Sequence, residues 1–205
     1  MKDILNQTEK SIFKIKVNNI NGTGFFCKIP FPDKTNLLKM MITSNHVVGD
    51  KDIEPGKKLV LSLNNEKVYN EILIDGKRKM YTNKEYNITM IEIKKKDNVD
   101  ESSFMEIDDN IFKDDQIILD KKSVYLLSYP QGREANHSQG EIKSLKDDGY
   151  TIEYLCDTNS GCIGAPIINI KNSKVIGIHV GTQKNKKYNI GTFFKKPIEE
   201  FNKNN

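Results

Sequence analysis

Residues 156–169 of the chain read Cys-Asp-Thr-Asn-Ser-Gly-Cys-Ile-Gly-Ala-Pro-Ile-Ile-Asn. The stretch combines the polar end of one strand, a turn with two glycines, and the start of an apolar strand. A tight turn of this kind can hold backbone N–H groups outward, as the stabilisation of a negatively charged oxygen requires. The stretch therefore predicts a binding or catalytic turn between two strands.

Short apolar runs rich in β-branched residues, separated by turn residues, occupy most of the remaining chain. About six such runs precede a polar segment and about six follow it, with no alternation of strands and helices. This pattern predicts an all-β fold of two packed six-stranded antiparallel barrels, with a short C-terminal helix. The predicted units are residues 1–105, a linker at 106–120, and residues 121–205.

Composition excludes several classes of function. The net charge is only +4, from 32 basic and 28 acidic residues that are interspersed, so no basic stripe indicates nucleic-acid binding. No apolar stretch approaches the roughly 20 residues that a membrane span needs. Three cysteines are too few for a disulfide framework, and the first residues do not form a signal peptide, so we expect a cytoplasmic protein. No motif for a metal or a cofactor is present, and we expect neither.

Several segments, in chain order, resemble the trypsin-like, chymotrypsin-fold serine proteases. Gly-Thr-Gly-Phe at 22–25, Thr-Ser-Asn-His-Val at 43–47 and Tyr-Pro-Gln-Gly at 129–132 are similar to segments of that family. Residues 161–166 resemble its Gly-x-Ser-Gly-[Ser/Gly/Ala]-Pro motif, and Gly-Ile-His at 177–179 resembles its glutamyl-endopeptidase-like members. The resemblance covers roughly residues 11–195 and implies the same two-barrel fold.

The resemblance assigns the three catalytic roles to His46, Asn87 and Ile163. A working triad needs a hydroxyl nucleophile, an imidazole base and a carboxylate that orients the base. Only His46 keeps its residue type, because Asn87 stands where the family has Asp and Ile163 where it has the nucleophilic Ser. Isoleucine has no nucleophilic atom, and Asp→Asn alone costs about four orders of magnitude in a working triad.

The backbone N–H groups of Gly161 and Ile163 take the oxyanion-hole position in the resemblance. Cys162 is the alternative nucleophile, since Cys, His and Asn form a working set in other proteases. Adjacent side chains in a tight turn point apart, however, so we expect Cys162 to face away from His46 and to pack as a small buried hydrophobe.

Asp157, Thr158 and His179 occupy the positions of the specificity pocket in the resemblance. Thr and His at these places bind the substrate side chain in relatives that select Glu or Gln, and an imidazole can donate to either group. The other interpretation of His179 is a histidine that satisfies hydrogen bonds at a strand edge.

The sequence therefore predicts a catalytically inactive trypsin-like protease homologue that binds a protein or peptide, and neither nucleic acid nor a membrane. Two alternatives remain open. One is an active endopeptidase that uses Cys162 with His46 and Asn87. The other is a purely structural subunit of a larger intracellular assembly.

Overall fold

A computed structural model describes residues 2–33, 35–113, 123–183 and 188–205 of the chain. Within these ranges the chain forms fourteen strands and two α-helices. The helices are α1 (Lys2–Asn6) and α2 (Lys195–Asn204). The strands, in chain order, are β1 (Ile12–Val17), β2 (Ile20–Pro30), β3 (Leu37–Thr43), β4 (Lys58–Leu63), β5 (Val68–Leu73), β6 (Met80–Asn83), β7 (Ile88–Glu92), β8 (Met105–Glu106), β9 (Ser123–Ser128), β10 (Asn136–Leu145), β11 (Thr151–Leu155), β12 (Pro166–Asn169), β13 (Val175–Thr182) and β14 (Asn189–Phe193).

The N-terminal half is one curled sheet with the strand order β5-β4-β1-β2-β3-β7-β6, and β8 pairs with β2. Strand β2 is buried on both faces, which explains its long apolar run. Phe26 belongs to a core enclosed by this sheet, whereas Phe25 and Cys27 belong to a core shared with the C-terminal half. The alternation follows from the two-residue period of a strand.

The C-terminal half is a closed antiparallel barrel in the order β10-β11-β14-β13-β12-β9, with β9 pairing with β10 to complete the ring. Its interior and the interface with the first sheet form a single cluster of buried side chains. Closure leaves this barrel without a free strand edge.

The helix α2 packs against the N-terminal sheet. Pro197 lies in its first turn, where the missing N–H removes no helical hydrogen bond. Phe201 is fully buried, and its ring lies 5.4 Å from that of Phe31 and 6.3 Å from that of Tyr81. The end of the chain therefore ties the second half of the molecule back to the first.

The predicted two-barrel fold with a short C-terminal helix is confirmed, with one difference in detail. The N-terminal unit has eight strands rather than six, because the short strands β6 and β8 have too few apolar residues to stand out in the sequence. No ladder joins β5 to β6 in the part of the chain that the structure describes, so this sheet is a half-barrel.

Several element boundaries also differ from those expected. Strand β3 ends at Thr43, so His46 lies in a turn rather than on the strand, and β10 begins at Asn136. Helix α1 was not expected. Of the predicted linker, Ile107 forms a bridge with Val175 and residues 109–112 form a 3₁₀ turn, whereas residues 114–120 lie outside the described residues. The division into 1–105, 106–120 and 121–205 stays a prediction.

Among the described residues, neither helix is long enough or apolar enough to cross a bilayer.

Candidate active-site cleft

The turn between β11 and β12 depends on two glycines with positive φ angles. Gly161 has φ +90°, and a Cβ there would lie 2.6 Å from the carbonyl oxygen of Tyr129. Gly164 has φ +91°, and a Cβ there would lie 2.0 Å from the carbonyl oxygen of Thr23. Glycine is required at both places by backbone conformation and by space. The second approach brings the turn against strand β2 of the other half of the molecule.

Four successive carbonyl groups of this turn are held by hydrogen bonds. The Ser160 carbonyl accepts from the Gln131 N–H, and the Cys162 carbonyl accepts from the Ala165 N–H at 3.0 Å. The Gly161 carbonyl accepts from the Thr23 hydroxyl at 2.8 Å. The Ile163 carbonyl accepts from the Thr23 N–H at 2.9 Å. Residue 23 therefore holds two of the four carbonyls from the opposite barrel.

Those bonds also orient the N–H groups of Gly161 and Ile163. In a planar trans peptide the C=O and the N–H point in opposite directions, so each of these N–H groups points away from the partner of the preceding carbonyl. In the described part of the chain neither N–H has a hydrogen-bond acceptor. Unpaired backbone N–H groups are the donors that stabilise a negatively charged or carbonyl oxygen, and these two are the pair that the resemblance puts in the oxyanion hole.

The Ile163 side chain is partly buried and packs against the core of the N-terminal sheet. The same core contains Val47, which follows His46 in the chain. A Cβ at Gly22 would lie 2.5 Å from Val47 Cγ2 and 3.1 Å from the Ile163 carbonyl oxygen. The structure thus brings the predicted nucleophile position and the turn of the predicted base together across the two barrels.

The Asn87 side chain binds the backbone of the His46 turn. Its Oδ1 accepts from the His46 N–H at 2.9 Å and from the Ser44 hydroxyl at 2.8 Å. Only the oxygen of the Asn87 amide can accept from these two donors, so Nδ2 points elsewhere. An amide nitrogen donates and does not accept, and among the described residues the exposed His46 ring has no hydrogen-bond partner. Asn87 therefore fixes the turn but does not orient the imidazole as a carboxylate would.

Cys162 lies on the other side of the turn, with 1% of its surface exposed. Its Sγ lies 3.2 Å from Ser128 Oγ and 3.4 Å from the Asn159 N–H. It belongs to the core shared by both barrels. The thiol is enclosed by the C-terminal barrel and contacts neither His46 nor Asn87.

His179 is buried beside Tyr154, with 2.6 Å between Nδ1 and the phenol oxygen. Burial raises the pKa of Tyr154 well above its usual value and lowers the pKa of His179 to about 4. Both groups are thus neutral at pH 7. A buried hydroxyl needs an acceptor, and Nδ1 is its partner here, so Tyr154 donates and the imidazole carries its proton on Nε2.

Thr158 and Asp157 lie nearer the surface than His179. The Thr158 hydroxyl donates to Asn189 Oδ1 at 2.8 Å, and Thr182 donates to the same oxygen at 3.1 Å. Asn189 Nδ2 donates in turn to the Cys156 carbonyl at 2.7 Å. Asp157 is exposed, and its N–H donates to Ser138 Oγ at 2.6 Å. Thr158 and His179 share no hydrogen bond with each other.

Sequence reasoning missed Tyr154 and Asn189, which bind His179 and Thr158, two of the three predicted pocket residues. Both follow from strand register: Tyr154 pairs with Asn189, and Thr182 pairs with Asn189. The available signal was a residue with a hydrogen-bonding side chain next to apolar residues in each strand, Tyr154 in β11 and Asn189 in β14.

A family model described as a trypsin-like peptidase domain matches residues 22–178, which is more than half of the chain. Similar solved structures include a serine endoprotease from Yersinia pestis, with a TM-score of 0.68, 12% identity, and coverage of 98% of this chain and 66% of that one. The Rv3671c protease in an inactive form has a TM-score of 0.68 and 15% identity, over 98% of this chain and 91% of that one. A serine-to-alanine mutant of Rv3671c from M. tuberculosis H37Rv, also in an inactive form, has a TM-score of 0.66 and 15% identity, over 98% of this chain and 89% of that one. No curated protein shows significant similarity.

The chain therefore belongs to the trypsin-like peptidase domain family. At these identities the solved structures establish the shared fold, and the chain spans 66% of the Yersinia pestis protein's length.

Proposed function

We propose that the chain is a catalytically inactive member of this family that binds a protein or peptide in the former substrate cleft. The observation that carries the proposal is the isoleucine at position 163. It occupies the turn position from which the family's serine attacks, and its side chain packs against the core of the opposite barrel. No atom of an isoleucine side chain can form an acyl-enzyme.

The environment of His46 supports the same proposal. A general base in acyl transfer is held in one tautomer by a carboxylate that accepts its ring N–H. Asn87 uses its only acceptor atom on the His46 N–H and the Ser44 hydroxyl. Among the described residues the ring has no such partner, so two of the three catalytic roles are unfilled.

The binding parts of the cleft are built more completely than the catalytic parts. The N–H groups of Gly161 and Ile163 have no acceptor among the described residues, and the buried His179 keeps a proton on Nε2 through its bond from Tyr154. Donors without a nucleophile or an orienting carboxylate favour binding over turnover. A neutral imidazole donor suits the amide oxygen of a glutamine side chain, so we expect peptides with glutamine at the pocket position to be preferred.

The cysteine-endopeptidase alternative would need the Cys162 thiol in the cleft. Its bonds to Ser128 and the Asn159 N–H hold it in the interior instead. The alternative of a purely structural subunit differs in its prediction, because it requires no peptide binding in the cleft. A cytoplasmic location stays a prediction.

The test is turnover and active-site labelling of the purified chain. We expect no hydrolysis of peptide or ester libraries and no labelling by a fluorophosphonate. The double variant Ile163→Ser with Asn87→Asp is the matched comparison, because it restores a Ser-His-Asp set in the same fold. Labelling of that variant at the introduced serine would establish the register of the assignment. Turnover by the natural chain that disappears in Cys162→Ala would overturn the proposal.

A further inference from the structure

The turn between β11 and β12 carries two backbone N–H groups that no contact among the described residues uses. The four consecutive carbonyl groups of residues 160–163 all accept hydrogen bonds from N–H or hydroxyl groups of the protein. The N–H groups of Gly161 and Ile163 remain without acceptors in the described part of the chain. We propose that this turn is a recognition site for a peptide's C-terminal carboxylate, which deepens and rests on the proposed peptide-binding function.

Residues 160–163, with the two N–H groups of Gly161 and Ile163, are called the cradle below. Thr23 holds two of its peptide groups by hydrogen bonds. Its hydroxyl donates to the Gly161 carbonyl at 2.8 Å and accepts from the Tyr129 N–H at 3.0 Å, and it is fully buried. Its own N–H holds the Ile163 carbonyl. The peptides on both sides of the cradle are thereby fixed before any ligand arrives, so little ordering is lost on binding.

The charge of the site has changed in the direction that a carboxylate ligand requires. A catalytic triad carries a carboxylate directly behind its histidine, and that negative charge would repel a second carboxylate in the cleft. Asn87 is neutral and takes the same place against the His46 turn. Two backbone donors that stabilise a transient oxyanion in an active protease then bind a stable anion in its ground state.

The substitution at position 163 acts in the same direction. A serine hydroxyl beside the cradle would attack a peptide bond and would release any C-terminal product after turnover. With Ile163 the cradle keeps its N–H donor, because a side-chain change leaves the backbone group in place, while the reaction is lost. A carboxylate that binds there therefore stays bound until it dissociates, because no reaction follows.

Other charged groups around the loop have both signs. Lys14 Nζ donates to the Gly132 carbonyl at 2.9 Å, on the segment that holds the Ser160 carbonyl, and it also pairs with Glu66. Arg133 follows on the same segment, and the exposed Asp157 lies before the turn. The local charge is therefore close to balanced, and selectivity for an anion comes from the two N–H groups.

The experiment compares a carboxylate with its uncharged isostere. Nα-acetylglutamine and Nα-acetylglutamine amide differ only at the group that the cradle would bind. Each is titrated into ¹⁵N-labelled protein while the amide signals of Gly161 and Ile163 are followed. We expect the acid to shift both signals and to bind about tenfold more tightly than the amide, since charge-assisted hydrogen bonds are roughly twice as strong as neutral ones.

Two variants separate the cradle from the pocket. Thr23→Val keeps the shape of the side chain and the backbone bond to Ile163 but removes the hydroxyl that holds the Gly161 carbonyl, and we expect it to lower the acid-over-amide ratio. Asn87→Asp restores the negative charge and should weaken acid binding several-fold with no change for the amide. Thr8→Val, the same substitution in the segment after α1, is the control that should change neither. If Thr23→Val fails to fold, as judged by circular dichroism, the Asn87→Asp result decides.

A third probe distinguishes failure of this inference from failure of the proposed function. It is a pool of octapeptides capped at both ends, with glutamine at an internal position. Equal binding of acid and amide, together with binding of the capped pool, would overturn carboxylate recognition and leave cleft binding standing. An acid preference of unchanged size in folded Thr23→Val would also overturn it. No binding of any of the three probes would overturn both.

Discussion

At the scale of single residues, His179 shows how burial sets what a side chain can do. Its ring is 1% exposed, and its hydrogen bond comes from a phenol rather than from a carboxylate. No negative charge offsets the loss of solvation, so the neutral form is favoured and the pKa falls to about 4. At neutral pH this residue is a hydrogen-bond donor of fixed direction and carries no charge.

The same shift predicts a pH dependence of stability. The unfolded histidine takes up a proton below about pH 6.5, whereas the native one does so only near pH 4. Between these values the unfolded state binds more protons, so the free energy of unfolding falls as the pH is lowered from 6.5 towards 4. We expect this group to cost about 2–3 kcal/mol of stability between pH 7 and pH 4.5.

Urea unfolding of the natural chain and of His179→Gln at both pH values measures this contribution. Glutamine keeps an acceptor for Tyr154 and does not titrate, so carboxylates lower the stability of both proteins equally. The variant should lose less stability than the natural chain. Equal losses would show that His179 is not held neutral by its burial.

Predictability from sequence also differs from residue to residue. The positions of Gly161, Gly164 and His46 follow from local motifs, and the two glycines are needed because φ is near +90° where a Cβ would also clash. The partners Tyr154 and Asn189 do not follow, since they reach the pocket through the register of β11, β13 and β14. Thr23 was part of a recognised motif, but its role depends on the approach of the second barrel, which no local pattern contains.

At the scale of elements, the open side of the N-terminal sheet is sealed by side chains in place of a strand ladder. Arg78 forms a two-pronged ion pair with Asp97, at 2.6 and 2.7 Å, with both groups almost fully buried. Its guanidinium also donates to the carbonyls of Leu73, which ends β5, and Glu92, which ends β7. One side chain therefore joins the edge strand β5 to β7, the neighbour of the other edge strand, β6.

Removing one partner of this pair should be costly. Arg78→Met leaves the Asp97 carboxylate buried without its ion pair and frees two carbonyls, and we expect a loss of about 3–5 kcal/mol. Arg78→Met combined with Asp97→Leu should lose less than the single variant, because no uncompensated charge remains. Urea unfolding of the two single variants and the double variant completes the cycle.

The exposed Lys58–Glu71 pair on β4 and β5 is the control for this cycle. Ion pairs that water screens contribute roughly 0–1 kcal/mol, so Lys58→Met should change little. A loss of under about 1 kcal/mol for Arg78→Met would mean that the backbone closes this side without the ion pair.

Most strands follow from the sequence because their apolar residues alternate or run continuously between turn residues. Strands β6 and β8 do not, since four and two residues are too short to establish a period. The ion pair on the open side of the N-terminal sheet could not be predicted from sequence either. Arg78 lies within the basic segment Lys-Arg-Lys at 77–79, and nothing local marks it as buried.

At the scale of the whole molecule, one hydrophobic cluster contains side chains from both barrels and from α2. Phe25 of β2 stacks on Phe194 at 6.2 Å, and Phe201 packs on Phe31 and Tyr81. Two barrels that share a core do not have independent stability, because exposure of one face removes burial from the other. The cleft between them is consequently fixed in width by packing.

This shared core leads to a prediction for Phe201→Ala. Deleting a fully buried aromatic ring should cost about 3–5 kcal/mol, and the loss should appear in both barrels as one transition. Glu199→Ala, on the exposed side of the same helix, is the control and should change stability by less than about 0.5 kcal/mol. Far-ultraviolet and near-ultraviolet circular dichroism, followed through the same urea series, report strands and buried tyrosines separately. Coincident transitions that both move in Phe201→Ala agree with a single cooperative unit. Two separate transitions, with only one displaced by the substitution, would show that the barrels unfold independently and that the cleft is free to open between them.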